Sequence, residues 1–398
     1  MNRQLRILAT TDLHGLFYRG QQTPRPLFGS IAGVREYFSA TQSIKTNSDI
    51  LLLDAGDFMG GGLPAYLANN CPDLLSEPHL PARLAGEIGY SAMTPGNHDI
   101  DAGPEALARY ASTLPCPLLA ANIIGIPFLK PYTILTTPSG LTVAIVGLVT
   151  DTDTSLAAFS GARLISMEEG AQSAIQAIKH SPVRPDCIIA LVHDGPDRCA
   201  HLVEAVGDFD LILCGHVHKA SGISRAGRSL IVNPGPYALQ IADIDITISS
   251  DRKNITAAVN PLPEISDSMP PCIAAYGDTV ICHDALPLTN LLHRAILTAT
   301  NADISIVEAS DTILPEEITL ADSFRFLPYD DHIITIRPDT KTLKSILNST
   351  SSLSISATTP HIEPNRIIAM THHLYTSLQI ATPIHSYIDK PLRYFFHL

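Results

Sequence analysis

Four absences narrow this 398-residue chain before any motif is read. It has no run of about 18 apolar residues, so no helix is expected to span a membrane. It has no basic excess: 26 Lys+Arg stand against 39 Asp+Glu, a formal net charge of −13. Nucleic-acid binding shows a basic surface, so no nucleic-acid partner is expected. It has no CxxC pair. The cysteines (Cys71, Cys116, Cys187, Cys199, Cys214, Cys272, Cys282) are scattered and odd in number, which reads as reduced, buried thiols in a cytoplasmic protein. Finally, Met1–Ile7 runs straight into a short apolar strand with no leader, which adds to the cytoplasmic expectation. A secreted chain trimmed of its leader would read the same.

What is present is globular: 45% hydrophobic and 16% charged residues. The length exceeds one ordinary core and predicts two domains, 1–258 and 259–398. Short β-branched runs recur through roughly the first 250 residues. They are Arg6–Thr10, Ile50–Leu53, Leu141–Val149, Cys187–Val192, Leu211–Cys214, Leu230–Val232 and Ile241–Ile248. Helical stretches lie between them. The clearest begins at Ser166, with Glu169 in capping-box position and Ala171, Ala174, Ile175 and Ile178 as its apolar stripe. Alternation of this kind predicts a layered α/β domain. From about Asp251 to Thr289 the pattern weakens, prolines recur, and an irregular linker is expected. A smaller α+β domain follows, with helices over Leu291–Thr300 and Thr340–Leu347. Its strands are expected over Asp303–Val307, His332–Ile336 and Arg366–Met370.

Five polar clusters sit where these strands end, or in the same kind of turn: Asp12-Leu13-His14-Gly15, Gly56-Asp57, Gly96-Asn97-His98-Asp99, His193-Asp194-Gly195 and Gly215-His216-Val217-His218. Each alone is ordinary. Gly-Asp is a turn signal, Asn-His-Asp after Gly is a capping turn, and the Gly60–Gly62 run reads as a flexible loop. Together they supply the oxygen and nitrogen donors that suit divalent Mn, Fe, Zn and similar ions. Loops at strand ends on one sheet edge also converge on a single site.

The order of the blocks resembles the calcineurin-like metallophosphoesterases, and within them the 5′-nucleotidase and 2′,3′-cyclic-nucleotide phosphodiesterase branch. Stretches such as Ile88-Gly89-Tyr90-Ser91-Ala92 and Leu119-Ala120-Ala121-Asn122 look like that branch too, and the likeness runs from Leu5 to about Ile248. The resemblance implies a four-layer α/β/β/α sandwich with a second, smaller α+β domain. It gives one divalent metal ion to Asp12, His14 and His218, the other to Asn97, His193 and His216, and makes Asp57 the bridge. The ions would be Mn, Zn, Fe, Co or Mg. His98 is not a ligand in this family; it faces the scissile ester, and Asp101 matches the aspartate that orients it. The implied activity is hydrolysis of a small phosphate ester, most simply a nucleotide, by a hydroxide activated between the ions, with His98 as acid.

The second domain departs from the branch. Glu308-Ala309-Ser310-Asp311-Thr312 stands where a glycine pair and an arginine are expected to grip phosphate. Glu316, Glu317 and Asp322 add negative charge that repels a phosphate. Of two aromatic positions that would sandwich a base, Tyr329 survives and the other falls near His373. The expectation is therefore complete hydrolytic machinery beside a reduced nucleotide grip. Two alternatives stay open: an ester that is not a nucleotide, or a metal-stabilised scaffold without catalysis.

Overall fold

The computed structural model describes residues 3–392, apart from 22, 24–27, 45–47, 75–78, 153, 155, 208, 220, 250–251, 266, 283–286, 328–330, 349–352, 358–365, 379 and 381. The chain divides into two compact units, the first from Met1–Gln21 and Arg25–Met269, the second chiefly Pro270–Leu398.

Along the first unit run β1 (Arg3–Thr10), α1 (Ile31–Ser43), β2 (Ser48–Asp54), α2 (Leu63–Asn70), α3 (Leu80–Ile88) and β3 (Ala92–Met93). Next come α4 (Asn97–Asp101), α5 (Pro104–Thr113), β4 (Ile123–Ile124), β5 (Tyr132–Thr136), β6 (Thr142–Val149), β7 (Arg163–Leu164) and α6 (Met167–His180). The unit closes with β8 (Cys187–His193), α7 (Pro196–Val206), β9 (Leu211–Cys214), β10 (Gly222–Ala226), β11 (Ser229–Asn233), β12 (Gln240–Ile248) and β13 (Lys253–Pro261).

Two large sheets result, ordered β13-β12-β1-β2-β3 and β10-β11-β9-β8-β6-β5, with β4 and β7 paired apart from them. Alternation decides their packing. Leu5, Ile7 and Ala9 of β1 meet Val143, Ile145, Ile189 and Leu191 of the other sheet in a shared core. Alternate residues of the second sheet, Ala144, Val146 and Ala190, instead pack on Ala171, Ile175, Leu202 and Val203 of α6 and α7. On the far face of the first sheet, Tyr37 of α1 hydrogen-bonds Asp243 of β12, which also pairs with Arg6. The four-layer α/β/β/α sandwich is present. Helix α6 starts as expected, with Ser166 Oγ accepting the Glu169 N–H at 3.1 Å.

The irregular linker expected over Asp251–Thr289 is instead structured at its start and again over Pro271–Gly277, a helix, and Val280–Cys282, a strand. Residues Lys253–Pro261 form β13, an edge strand paired with β12 throughout, so the boundary expected at 258/259 falls inside a strand. Its mixed Asn, Thr and Ala sequence is half exposed, as an edge allows, and it ends in the proline that an edge tolerates. Ile255, Ala257 and Val259 alternate onto the face that packs on the core, but with small or polar Asn254, Thr256, Ala258 and Asn260 between them the run is too weakly apolar to read as a strand.

The second unit holds α8 (Pro271–Gly277), β14 (Val280–Cys282), α9 (Leu288–Thr300), β15 (Ile304–Glu308), β16 (Ile318–Thr319), α10 (Leu320–Ser323), β17 (His332–Ile336), α11 (Thr340–Asn348), β18 (Leu353–Ala357), β19 (Ile368–Thr371), α12 (His372–Ser377) and β20 (Ile384–Pro391). Its five-stranded sheet, β18-β15-β19-β17-β20, packs one face on α9 and the other on α11 and α12. Among the described residues, no helix is long and apolar enough to cross a membrane. Cys187, Cys199 and Cys214 are buried free thiols, whereas Cys272 is exposed, against the expectation that all would be buried.

Candidate metal centre

Topology brings the five clusters together. Strands β1, β2 and β3 are parallel neighbours in one sheet, and β8 and β9 are parallel neighbours in the other. Their carboxyl ends therefore point the same way within each sheet. The loops after β1 and β2 are zipped by Asp12 N–H to Gly56 O and His14 N–H to Asp57 O, both 2.8 Å. The two sheets are joined there by His193 Nδ1 to Ala55 O at 2.8 Å. Glycines in the motifs permit the approach: a Cβ on Gly96 would stand 2.0 Å from Asp57 Oδ1, and one on Gly215 would stand 1.9 Å from Thr11 Oγ1.

Two groups of side chains result. Ligand-type atoms of Asp12, His14, Asp57 and His218 lie within 4.8 Å of one another, as do those of Asp57, His193 and His216. Asp57 is common to both. Asn97 joins the second group through Oδ1, 3.2 Å from His193 Nε2. All seven residues expected to ligate metal thus meet in one place.

The backbone is strained at the same positions. Among the described residues, non-glycine positive φ occurs at Asp12 (53°), His14 (52°), Asp57 (54°), His216 (69°), His218 (47°), Tyr237 (65°), Ala238 (50°) and Asn301 (50°). Five of these eight are candidate ligands. Each costs on the order of 1 kcal/mol, so the strain is concentrated where the side chains must converge.

The ring nitrogens test whether a cation fits. His14 Nδ1 lies 2.9 Å from Gly60 O, as His193 Nδ1 lies 2.8 Å from Ala55 O. A carbonyl only accepts, so both Nδ1 atoms carry hydrogen and a neutral ring presents its lone pair at Nε2. That lone pair on His193 is 3.1 Å from Asp57 Oδ2, and the one on His14 is 2.7 Å from His218 Nε2. For His193 an acceptor faces an acceptor, which needs a proton or a metal ion between them, and the His14–His218 contact is bridged either by a hydrogen on His218 Nε2 or by a metal ion. The donor set of imidazole nitrogen with carboxylate and amide oxygen suits Mn, Fe, Co and Zn. The residues fit.

Without a metal ion, a proton fills this role on His193. Burial disfavours the charged His193 ring, but Asp57 outweighs it and lifts the pKa to about 10. Burial would raise the Asp57 carboxyl; His193, His98 and His14 instead hold it well below the usual range. His14 goes the other way, pushed down to about 3 by burial.

His98 stands beside the two groups, partly exposed. Its ring lies 5.5 Å from that of His14, its N–H donates to Asp57 Oδ1 at 2.9 Å, and its Nδ1 is 3.3 Å from Asp101 Oδ2. Burial works against a charged ring, yet Asp57 and then Asp101 raise its pKa to about 9. Asp99 binds the site together: its carboxylate accepts from the amides of Phe58, Met59, Gly60 and Gly96. The Gly60–Gly62 run, expected as a flexible loop, is buried and held at its start by these bonds. A side chain there would not fit, since a Cβ on Gly60 would meet His98 Cβ at 2.5 Å.

Sequence reading missed two residues. Asp54 is fully buried, accepting from Thr10 Oγ1 at 2.6 Å and Gly56 N–H at 2.9 Å. Tyr237 places its hydroxyl 2.9 Å from His218 Nδ1. The signal for Tyr237 was available, because Asn233-Pro234-Gly235-Pro236-Tyr237 is a sixth turn after a strand, β11. Both second-domain candidates belong to the second unit. His373 is exposed on α12, its N–H donating to Asp331, and Tyr329 lies outside the described residues. Glu308, Asp311, Glu316 and Glu317 are exposed.

A calcineurin-like phosphoesterase model matches residues 5–220, so this fold and site define a metallophosphoesterase. The chain belongs to the calcineurin-like phosphoesterase family, a class of phosphoester hydrolases, and its relatives include members of the 5′-nucleotidase branch. It is 24% identical to the endonuclease YhcR of Bacillus subtilis over 87% of this chain and 32% of that protein. It is 29% identical to the 5′-nucleotidase of Vibrio cholerae over 54% of this chain and 40% of that one. The chain thus spans less than half the length of either curated relative. The crystal structure of a 5′-nucleotidase precursor from Thermus thermophilus superposes with a TM-score of 0.67 at 16% identity, covering 99% of this chain and 95% of that one. At that identity the likeness is one of fold.

Proposed function

We propose that the chain is a dinuclear-metal-dependent hydrolase of small phosphate esters, with nucleotides as the substrate class: a 5′-nucleotidase or a 2′,3′-cyclic-nucleotide phosphodiesterase. In this reading the first unit is the catalytic domain and the second a reduced nucleotidase-type C-terminal domain. The observation that carries it is the sharing of Asp57 between two ligand groups, since one carboxylate between two sets of donors is what a pair of cations requires. Asp12, His14 and His218 hold one divalent ion, and Asn97, His193 and His216 the other. When bound, such a pair acidifies water and offsets negative charge on phosphoryl oxygens. His98 supplies positive charge to the transition state and a proton to the leaving oxygen. Asp101 keeps that ring protonated and aimed, and Asp99 holds the loops of Asp57 and Asn97 at a fixed spacing.

An ester other than a nucleotide is a second reading, favoured by the exposed acids Glu308, Asp311 and Glu316 in the stretch where the resemblance led us to expect an arginine. The test for both is a panel of phosphate esters with Mn²⁺, ranked by kcat/KM. Nucleoside monophosphates or cyclic nucleotides should lead the ranking. If adenosine and uridine monophosphates do no better than a generic aryl phosphate, the nucleotide assignment is dropped. No turnover of any ester with two equivalents of metal bound would leave only a scaffold.

A further inference from the structure

Three histidines of the centre have a defined hydrogen-bond partner on Nδ1. For His14 and His193 it is a backbone carbonyl, Gly60 O and Ala55 O. For His218 it is the Tyr237 hydroxyl at 2.9 Å. The chemistry differs. A carbonyl only accepts, so it fixes the hydrogen on Nδ1 and leaves Nε2 for a metal ion, whereas a hydroxyl accepts or donates. The tautomer and aim of His218 therefore depend on a side chain.

Tyr237 is built into the same loop cluster. Its N–H donates to Asp12 O at 2.9 Å and its carbonyl accepts from Gly29 N–H at 2.8 Å. These bonds hold it at φ 65°, in the left-handed region that a bulky residue rarely adopts. Its ring centroid lies 5.2 Å from that of His218 and 5.8 Å from that of His14. Asp12, His14 and His218 all belong to one of the two ligand groups.

We propose that Tyr237 is the positioning residue of the Asp12–His14–His218 half of the centre. Its hydroxyl accepts from His218 Nδ1–H, aims Nε2, and sets the affinity of that half separately from the Asn97–His193–His216 half. The proposal rests on the two-cation reading above. It makes the centre unequal: two of the histidines have rigid main-chain partners, while His218 has one that a single substitution removes and leaves the ring in place.

The experiment is a Mn²⁺ titration of the metal-depleted full chain, following free Mn²⁺ by electron paramagnetic resonance. Wild type should take up two equivalents. Tyr237→Phe keeps the ring and the main-chain bonds, and should weaken one equivalent by roughly 10- to 100-fold while leaving the other unchanged. In a Tyr237→Phe/His216→Ala chain the remaining equivalent should be the weak one. Unchanged affinities in Tyr237→Phe, or equal weakening of both, overturn the proposal. Nitrogen-15 spectra of the wild-type histidines with Zn²⁺ bound give a reading free of substitution: His218 Nδ1 must be protonated, and an unprotonated Nδ1 overturns the proposal even where the variant does not fold. A wild type that takes up fewer than two equivalents sinks the two-cation reading itself, and this proposal with it.

Discussion

The two units of this chain bury different things. Among the described residues, every buried acid lies in the first unit: Asp12, Asp54, Asp57, Asp99, Asp194 and Asp243. The second unit buries only neutral hydroxyls and histidines beside its apolar core, such as His293 between Ser305 and Ser354. Positive φ follows the same divide, with seven of eight non-glycine positions in the first unit and only Asn301, a helix cap, in the second. A buried carboxylate and a strained backbone each cost free energy, and tolerating both together requires a dense hydrogen-bond frame. The first unit has that frame at the ends of β1, β2, β8 and β9. The second is a folding unit with no buried acid among its described residues.

That contrast can be broken in order of expected effect. Asp57→Asn should be the most damaging change, since it removes the carboxylate common to both groups. Uptake of both cations should fail and turnover should fall by at least roughly 1000-fold; retention of two equivalents would show that Asp57 is not shared. His98→Ala should lower kcat by at least about 100-fold with metal content unchanged, measured by elemental analysis on the same preparation. Equal turnover would remove His98 from the chemistry.

Proton linkage is a smaller and sharper test. His98 and His193 have folded pKa values of about 9 and about 10, raised above 6.5. Their contribution to the stability of the metal-free protein is therefore complete below pH 6.5 and lost as pH rises through those values. A metal ion must displace the proton on His193. Uptake at pH 8 should release about one proton for that ligand and tighten as pH rises, which calorimetry in buffers of different ionisation enthalpy measures. Uptake without proton release would contradict the geometry. The smallest effect belongs to the second unit: His373→Ala, at an exposed position of α12, should change kcat/KM for an aryl phosphate by less than about 2-fold. A larger loss would draw that unit into the chemistry.

Most of the metal centre was legible because its signal is local. Asp-x-His, Gly-Asp, Gly-Asn-His and Gly-His-x-His are short blocks at the ends of apolar strands, and strand ends are where parallel sheets collect their loops. The layers were legible for the same reason, from β-branched runs and the Ser166 helix. What stayed hidden depends on geometry that spacing does not encode. The four-amide grip of Asp99 appears only when the loops after β2 and β3 are side by side. The Gly60–Gly62 run looks flexible until His98 and Asp99 pack against it, and β13 resembled a linker because Asn, Thr and Ala dilute the alternation of Ile255, Ala257 and Val259. Tyr237 marks the limit most clearly: its turn after a strand was legible, but nothing in its neighbours says that its hydroxyl meets a histidine nineteen positions earlier.

The central claim is that two cations share Asp57, and anomalous diffraction from a crystal of the full chain grown with Mn²⁺ tests it most directly. The account predicts two anomalous peaks, each within roughly 2.0–2.4 Å of an Asp57 carboxylate oxygen, one beside Asp12, His14 and His218 and the other beside Asn97, His193 and His216. A single peak, or two peaks of which one lies away from Asp57, would contradict it.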